Sequence, residues 1–411
     1  MTSKQSGLLA GIAAALALVL AGCGADPTAT PTSVPTATPP PQAAATPTPD
    51  EAALFQAEWD ALIAAAQEEG ELTMVFGGAA GRNFREIAEA FGERFGIEVT
   101  VATGGGTAGA QRIMAEQATG RYLVDLMFGG SGVAITTMAP AGALAPIGEL
   151  FIHPEVTDLS LWYNGRHWYT DAEQKFVFAF AATARPENLG MRYNTDLVTQ
   201  DDIDAMNSVF DYLDPKWKGK IVSRSPLHGD VAFFTQYVHP DIGTEWIDRF
   251  VSPDLDVTFS DDNRFMVDGV AKGKFALGIS IGGAGRDLDS LGTLGAPVKA
   301  LVKEFKEGGG LSASASSDVF HAPINPPHPN ATKLWVNWWL TKEGQTIMHT
   351  MATELPDPTL RVDVTDWGKT DEKARRVEGK DYLFFDAQPE TIAKNKEAFD
   401  YGVSAFEAAR R

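Results

Sequence analysis

Hydrophobic residues after position 50 recur first at helical and then at strand spacing. A first helix is predicted from Asp50, as its N-cap, to Gly70, where glycine ends the apolar run. Three strand, loop and helix units follow, with strands predicted at 72–76, 97–101 and 123–128. Each strand ends in a glycine-rich loop. Such a succession predicts an α/β fold whose parallel, doubly wound sheet carries its ligand at the carboxyl edge of the strands.

A second α/β region is predicted from weaker patterns in the middle of the chain. Short strands are expected at 221–222 and 275–281, with a helix around Trp246, Ile247 and Phe250 between them. Towards the end, a helix capped by Asn330 is predicted to carry three tryptophans, and another helix is predicted over 392–406. The segment from residue 50 to residue 411 exceeds the ~250–300 residues at which one core stops growing, so two lobes are expected.

The first 23 residues are typical of a bacterial lipoprotein signal. Lys4 provides a positive start, and the apolar run from Leu8 to Leu20 is shorter than the ~20 residues that span a bilayer. The following Ala21 and Gly22 lead to Cys23, the only cysteine, in a lipobox. We therefore expect residues 1–22 to be removed and Cys23 to be lipidated, which anchors the chain outside the cytoplasm, on the periplasmic or cell-surface face of the membrane.

Residues 23–50 are predicted to form the anchor and a tether. Between Pro27 and Pro49 the sequence is almost entirely Pro, Thr, Ala and Ser. Proline-rich segments adopt extended polyproline II structure at about 3.1 Å per residue, so this tether would hold a domain several nanometres from a membrane.

The formal net charge of −20 restricts the partners of the chain. This excess of acidic residues disfavours nucleic acid and an anionic membrane surface as binding partners. The lipid anchor is therefore the expected membrane contact. A single cysteine excludes an internal disulfide and a cysteine-based metal cluster. We expect a monomer that needs no cofactor.

The glycine-rich loops at the predicted strand ends are the candidate ligand contacts. Glycine lets backbone N–H groups approach a ligand, and a helix N-terminus favours an anion. The alternative for any single loop is a tight turn, and for each arginine an ordinary ion pair instead of a bidentate clamp on a carboxylate or phosphate. The candidate contacts are Gly78, Arg82, Gly105, Gly106, Thr107, Gly130, Ser131, Ser223, Arg224, Ser225, Gly282 and Gly283.

The histidine spacing does not predict an enzyme. The seven histidines lack the spacing H-E-x-x-H, and S-x-x-K does not occur. The segment 104–109 fits G-x-G-x-x-G but follows the second predicted strand, which argues against a dinucleotide site. The acidic pairs Asp201-Asp202 and Asp261-Asp262 are predicted to be solvated helix starts. We expect no catalytic residues, although an exported hydrolase with a dispersed site stays an alternative.

Four segments of the sequence resemble bacterial extracellular solute-binding proteins, and the branch that contains the ferric iron-binding proteins in particular. They are Tyr193-Asn194-Thr195-Asp196-Leu197, the stretch from Asp211 to Lys220 with its Trp-Lys-Gly-Lys core, the stretch from His328 to Leu334, and the stretch from Thr341 to Gln345. The order of elements agrees from about residue 72 to about residue 361.

The resemblance implies a type II periplasmic-binding-protein fold with two lobes, crossover strands and a hinged cleft that closes on its ligand. It implies lobe one at 71–190 plus 300–355, and lobe two at 191–299 plus 356–411 with the C-terminal helices. The implied function is capture of a small solute for an ABC permease and ATPase. A ligand receptor for a sensor kinase is an alternative.

The ligand implied by the resemblance depends on one position. Ferric members hold the metal with two adjacent tyrosines after the strand that corresponds to 275–281, whereas this chain has Gly282, Gly283 and Ala284 there. Loss of the phenolates favours a small organic solute, anionic or phosphorylated. Ferric iron held by a carbonate and a set of Asp or Glu residues stays an alternative, and no metal site is expected.

Overall fold

A computed structural model of the chain describes residues 49–76, 80–104, 106–129, 131–185, 190–228, 233–313, 318–351, 357–368, 370 and 372–411. The signal segment, Cys23 and the tether lie outside these residues. Among the helices that the structure describes, none combines the length and the apolar character needed to cross a membrane.

The three predicted strand and helix units form the start of the first sheet. Their elements are α1 (Pro49–Glu69), β1 (Glu71–Phe76), α2 (Ala80–Phe95), β2 (Glu98–Thr103), α3 (Gly106–Ala118), β3 (Leu126–Phe128) and α4 (Ser131–Val133). A π-helical turn, Ala134–Met138, continues α4. Strand β1 lies between β2 and β3 and is parallel to both, which confirms the doubly wound start predicted from the periodicity.

Shorter elements complete this half of the chain and lead out of it. They are β4 (Leu144–Ala145), α5 (Pro154–Thr157), β5 (Trp168–Tyr169), β6 (Phe178–Ala179) and β7 (Thr183–Arg185). Strands β5 and β6 pair antiparallel to each other. These brief antiparallel strands did not show in the hydrophobic pattern.

The second sheet is built from the middle of the chain. Its strands and helices are β8 (Arg192–Asn194), α6 (Gln200–Ala205), β9 (Ile221–Arg224), α7 (Phe234–Val238), α8 (Gly243–Val251), β10 (Thr258–Ser260), α9 (Asn263–Ala271), β11 (Leu277–Ile279), α10 (Ala284–Thr293) and β12 (Val298–Ala300). The strand order is β10-β9-β11-β8-β12, in which β9 is parallel to β10 and β11.

The rest of the chain returns to the first sheet and then crosses again. Its elements are β13 (Gly310–Ser312), β14 (Val319–Pro323), α11 (Pro329–Trp339), α12 (Lys342–Met351), β15 (Leu383–Phe384), α13 (Pro389–Ile392) and α14 (Asn395–Ala408). Strand β14 completes the seven-stranded first sheet, whose order is β2-β1-β3-β14-β6-β5 with β4 beside β14. Short 3-10 turns lie at Ile147–Leu150, Leu159–Leu161, Tyr163–Gly165, Val209–Leu213, Pro215–Trp217, Pro226–His228 and Glu372–Ala374.

Aromatic side chains make up much of the first core, under α2 and α11. Phe84, Phe91 and Trp335 are buried, and the rings of Phe91 and Trp335 lie 4.9 Å apart. The Trp339 ring stands 5.1 Å from that of Phe84. Truncation of such a buried ring to alanine costs about 3–5 kcal/mol, so these contacts fix both helices on the sheet.

Glu69, the last residue of α1, caps the N-terminus of α11. Its carboxylate accepts hydrogen bonds from the backbone N–H groups of Asn330, at 3.1 Å, and Ala331, at 2.8 Å. The amide Nδ2 of Asn330 also donates to it, at 2.7 Å. The sequence prediction that Asn330 is the cap was wrong, because α11 begins two residues earlier than predicted, with His328 as N-cap and Pro329 at the first helical position.

A small third sheet joins the two larger ones. Strand β13 pairs antiparallel with β7 and parallel with β15, so three passes of the chain between the larger sheets lie side by side. Thr183 Oγ1 donates to Asp357 Oδ1 at 2.5 Å, and Ser312 Oγ donates to Asp386 Oδ2 at 2.7 Å. After β15 the chain ends in α14, whose Phe406 belongs to the second core.

Candidate functional site

The carboxyl ends of the three parallel strands in the first sheet are level with one another. The strand register places Phe76 of β1 beside Thr103 of β2 and Phe128 of β3. Beyond these ends, Gly104 N–H donates to the Phe76 carbonyl at 3.3 Å and Gly129 N–H donates to the Val319 carbonyl at 2.9 Å. The loops that follow β2 and β3 therefore leave the sheet at a shared edge, where the sequence predicted ligand contacts.

Two glycines shape the loop between β2 and α3. Gly104 has a φ of +122°, a conformation that residues with a side chain rarely adopt. A Cβ at Gly109 would lie 2.1 Å from the Gly104 carbonyl oxygen, so the first turn of α3 packs directly against the loop. The G-x-G-x-x-G spacing therefore serves local packing of this loop.

The sequence-predicted contacts at this edge fall into three groups. Thr107 is exposed in the first turn of α3, and Ser131 is half-exposed at the first position of α4. Arg82 lies in the first turn of α2 and Gly106 begins α3. Gly78, Gly105 and Gly130 lie outside the described residues.

A matching edge exists in the second sheet. Ser223 of β9 lies beside Phe259 of β10 and Ile279 of β11, so these three parallel strands also end together. The chain continues from β10 into α9 and from β11 through residues 280–283 into α10. This edge gathers the predicted residues Ser223, Arg224, Ser225, Gly282 and Gly283.

Arg224 lies beneath the loop that follows β11. Its side chain is buried, and its Nη2 donates to Asn263 Oδ1 and, at 3.5 Å, to the carbonyl oxygen of Ile281. A Cβ at Gly282 would lie 3.0 Å from Arg224 Nε. Because the guanidinium occupies the space where a side chain would stand, only glycine fits position 282 without a shift.

Backbone conformation at the end of β11 is unusual as well. Ser280 has a φ of +51° and Gly282 a φ of +55°. A left-handed residue other than glycine costs of order 1–3 kcal/mol and is typical of functional sites. Gly282 and Gly283 are exposed, so their backbone faces solvent above the buried Arg224.

The two serines beside Arg224 face inward. Ser223 is fully buried, and its Oγ lies 3.4 Å from the Arg224 carbonyl oxygen. Ser225 is also buried, and its Oγ accepts the Leu227 N–H at 3.2 Å. Both hydroxyls are thus used within the loop that follows β9.

Sequence reasoning missed Asn263 and Ser280. Asn263 is exposed at the first position of α9, directly after Asp262, whose side chain caps that helix. The prediction that Asp261-Asp262 starts a helix is confirmed, and so is the same prediction for Asp201-Asp202, since Asp202 forms a capping box with Thr199. Asn263 follows β10 at the carboxyl edge of the sheet, and this position would have indicated a site residue. The apolar pattern of the sequence did not reveal β10, so Asn263 was missed.

A separate groove of about 470 Å³ lies along α2 and the edge strand β2. Its walls combine Arg85, Glu89 and Glu93 of the helix with Val99 and Val101 of the strand. These residues lie on the flank of the sheet, away from the loops at the strand ends. In the part of the chain that the structure describes, no three His, Cys, Asp or Glu side chains are grouped to hold a metal ion.

A model of the bacterial extracellular solute-binding protein family matches residues 86–376 of the chain. This chain belongs to the bacterial extracellular solute-binding protein family. The match covers most of both large sheets, so the resemblance inferred from the sequence motifs is confirmed. Comparison with curated protein sequences gives no significant match.

Solved structures show the same fold as this solute-binding protein. An iron- and citrate-bound FutA from Trichodesmium is 16% identical with a TM-score of 0.52, and AfuA from Actinobacillus pleuropneumoniae with bound fructose 6-phosphate is 16% identical with a TM-score of 0.51. PotD, a spermidine/putrescine ABC transporter substrate-binding protein from Streptococcus pneumoniae, is 14% identical with a TM-score of 0.51. Each match covers 82% of this chain and 99% of the other.

The solute-binding protein therefore has the two-lobed fold of periplasmic binding proteins, as the sequence predicted. Its family places it outside the cytoplasm and gives it a binding role.

Proposed function

We propose that this solute-binding protein captures a small organic solute in the cleft between its lobes and delivers it to an ABC permease and its ATPase. Membership of the extracellular solute-binding family supports capture. PotD, the substrate-binding protein of a spermidine/putrescine ABC transporter, has the same fold, which supports delivery. The level strand ends of the two large sheets supply the loops that face the solute.

The exposed pair Gly282 and Gly283 is the observation that carries the choice of an organic solute over ferric iron. Ferric iron is a hard cation that needs charged oxygen ligands. At the end of β11 the chain instead offers two exposed glycines above a guanidinium. The two glycines give a metal cation no charged oxygen ligand, whereas their backbone leaves room for a carboxylate, phosphate or carbonyl oxygen of a solute.

We propose the lobe boundaries given by the sequence, with lobe one at 71–190 plus 300–355 and lobe two at 191–299 plus 356–411. Each set of residues supplies one large sheet, and β7 and β13 lie at the passages between them. Within the segment after residue 356, the chain up to β15 packs against the core of lobe one through Leu360 and Phe384, and α14 packs in the second core through Phe406. The third sheet would then act as the hinge when the cleft closes.

The chain is further proposed to act as a monomer without catalysis, held to the membrane by lipid on Cys23. The lipobox and the Pro- and Thr-rich tether support the anchor. Helix α1 follows the tether at Pro49 and is fixed to the first core through Glu69. The binding domain would therefore move on the tether as one body with α1.

The test is mass spectrometry of the full chain, purified in mild detergent, first under native and then under denaturing conditions. We expect a bound organic molecule that is released unchanged. Added back at about 100 times its dissociation constant, it should stabilise the fold by roughly 2.7 kcal/mol in a thermal unfolding assay. A chemically altered product would refute the binding role in favour of an exported hydrolase, and a coloured iron complex would refute the organic solute.

Delivery is tested separately by uptake. Cells that lack this chain should fail to accumulate the identified solute in labelled form, and the full chain should restore uptake. Normal uptake in the deleted strain would contradict the proposed role in import.

A further inference from the structure

The hydrogen bond between Arg224 and Asn263 fixes the orientation of the Asn263 amide. A guanidinium has only donors, so the Asn263 atom that faces Arg224 Nη2 is the acceptor Oδ1. The amide group Nδ2, with its two donors, is thereby directed away from Arg224. An asparagine without such a neighbour would be free to present either atom.

The N-cap of α9 fixes the backbone at Asn263. Asp262 is the N-cap of this helix, and its Oδ1 accepts the N–H groups of Arg264 at 2.8 Å and Phe265 at 3.1 Å. Because these bonds fix the first turn, the side chain of Asn263 starts from a defined point at the exposed edge of the sheet.

The Nδ2 group of Asn263 lies beside the exposed glycines that follow β11. A Cβ at Gly283 would stand 3.7 Å from it, which is ordinary contact distance. Asn263, Gly282 and Gly283 are all exposed, so a solute that rests on the two glycines meets this donor.

We propose that Asn263 determines solute specificity by donating from Nδ2 to an oxygen acceptor of the solute, with Arg224 as the positioning residue. This inference rests on the proposed function and names its solute class: a molecule that presents a carboxylate, phosphate or carbonyl oxygen to lobe two. An ammonium group offers only donors and finds no partner at this atom. Polyamines are thereby excluded as the main solute.

The substitution Asn263→Asp tests the donor with almost no change in size. One carboxylate oxygen keeps the contact with Arg224, and the other replaces the Nδ2 donor by a charged acceptor. We expect the affinity for oxygen-bearing solutes to fall at least tenfold, with the unfolding temperature of the free protein unchanged. Asn395→Asp is the matched control, because Asn395 is also exposed at the first position of a helix, α14. The Asn395→Asp variant should bind each solute with the affinity of the wild type.

Isothermal titration of the full chain in detergent would use fructose 6-phosphate, citrate, maltose and spermidine as probes. Fructose 6-phosphate reports on binding of a phosphate, and citrate reports on binding of carboxylates. Maltose reports on neutral hydroxyl and ether oxygens. In Asn263→Asp, spermidine binding should rise relative to the wild type while binding of the anions falls. Structural damage would weaken the binding of all four probes. Opposite changes in the binding of spermidine and of the anions therefore identify the role of the amide.

The outcomes separate this inference from the function on which it rests. A wild-type protein that prefers spermidine, or an Asn263→Asp variant that binds the anions as tightly as the wild type, would overturn the role of Asn263 and leave solute capture intact. A wild-type protein that binds ferric iron and none of the organic probes would overturn both.

Discussion

A buried histidine in β14 makes the stability of this protein sensitive to moderate acid. His321 is fully buried, and neither ring nitrogen has a hydrogen-bond partner within the described part of the chain. Burial lowers the pKa of His321 from 6.5 to about 4, because the charged imidazolium would lose its hydration in the sheet. The unfolded chain therefore binds a proton at a higher pH than the folded chain does.

The sign and size of the effect follow from this difference. Between pH 6.5 and pH 4 the unfolded state holds more protons, so the free energy of unfolding falls as the pH falls through that window. With the pKa at about 4, the loss from His321 amounts to about 2 kcal/mol at pH 5 and approaches about 3.4 kcal/mol below pH 4. His349, whose pKa burial also lowers to about 4, adds a loss of the same sign.

The substitution His321→Met removes the titrating group and keeps an apolar side chain of similar length. Urea unfolding, followed by tryptophan fluorescence at pH 7 and pH 5, should show that this variant loses about 2 kcal/mol less than the wild type between the two values. Met127 faces His321 in the strand register, so Met127→Leu serves as control and should keep the wild-type loss. An equal loss in His321→Met and wild type would show that protonation of His321 does not cause the loss of stability in acid.

Three further substitutions test the cap of α11, the loop after β11 and the lipid anchor. Glu69→Ala should lower the free energy of unfolding by about 1–2 kcal/mol, because it uncaps α11, whereas the same change at the exposed Glu68 should stay within about 0.5 kcal/mol; urea titration measures both. Gly282→Ala should weaken solute binding in isothermal titration, since its Cβ meets the guanidinium beneath, whereas Gly308→Ala, with a φ of +76° and open space, should cost about 1–2 kcal/mol of stability with unchanged affinity. Cys23→Ser should move the chain from the membrane to the soluble extracytoplasmic fraction on immunoblots.

Local periodicity explains why the first sheet was predictable. Helix α2 buries Phe84, Ile87 and Phe91 at helical spacing, and the glycines after each strand end the pattern sharply. Such information lies within a few neighbouring residues, so a sequence suffices to find the element and its buried face. The predicted bounds of α1 and β1 lie within one residue of the bounds in the structure.

Long-range contacts explain most of what the sequence did not predict. Strands β5 and β6 have two residues each, too few for a period, and exist because they pair with each other and β6 also pairs with β14. Arginine is seldom buried, so nothing in the local sequence places Arg224 under a loop 58 residues later. Its contact with Asn263 arises only when β9 and α9 meet.

The motifs that identified the family turned out to be structural. Trp217, in the Trp-Lys-Gly-Lys segment, is buried in the second core, and the side-chain amide of Asn194 donates to the carbonyl oxygen of Val270 at 2.8 Å. They identify the fold because they hold the second sheet together, and they carry no information about the solute. The residues at the strand ends carry that information, and their chemistry emerges only from their three-dimensional neighbours.

Hydrogen–deuterium exchange of the full chain, with and without the solute identified by mass spectrometry, measures whether the solute binds between the two lobes. If the solute binds between the lobes, exchange should slow together in the loops that follow β2 and β3 and in the segments around Arg224 and Gly282. Protection confined to one sheet, or to the groove between α2 and β2, would contradict a cleft built from the strand ends of both.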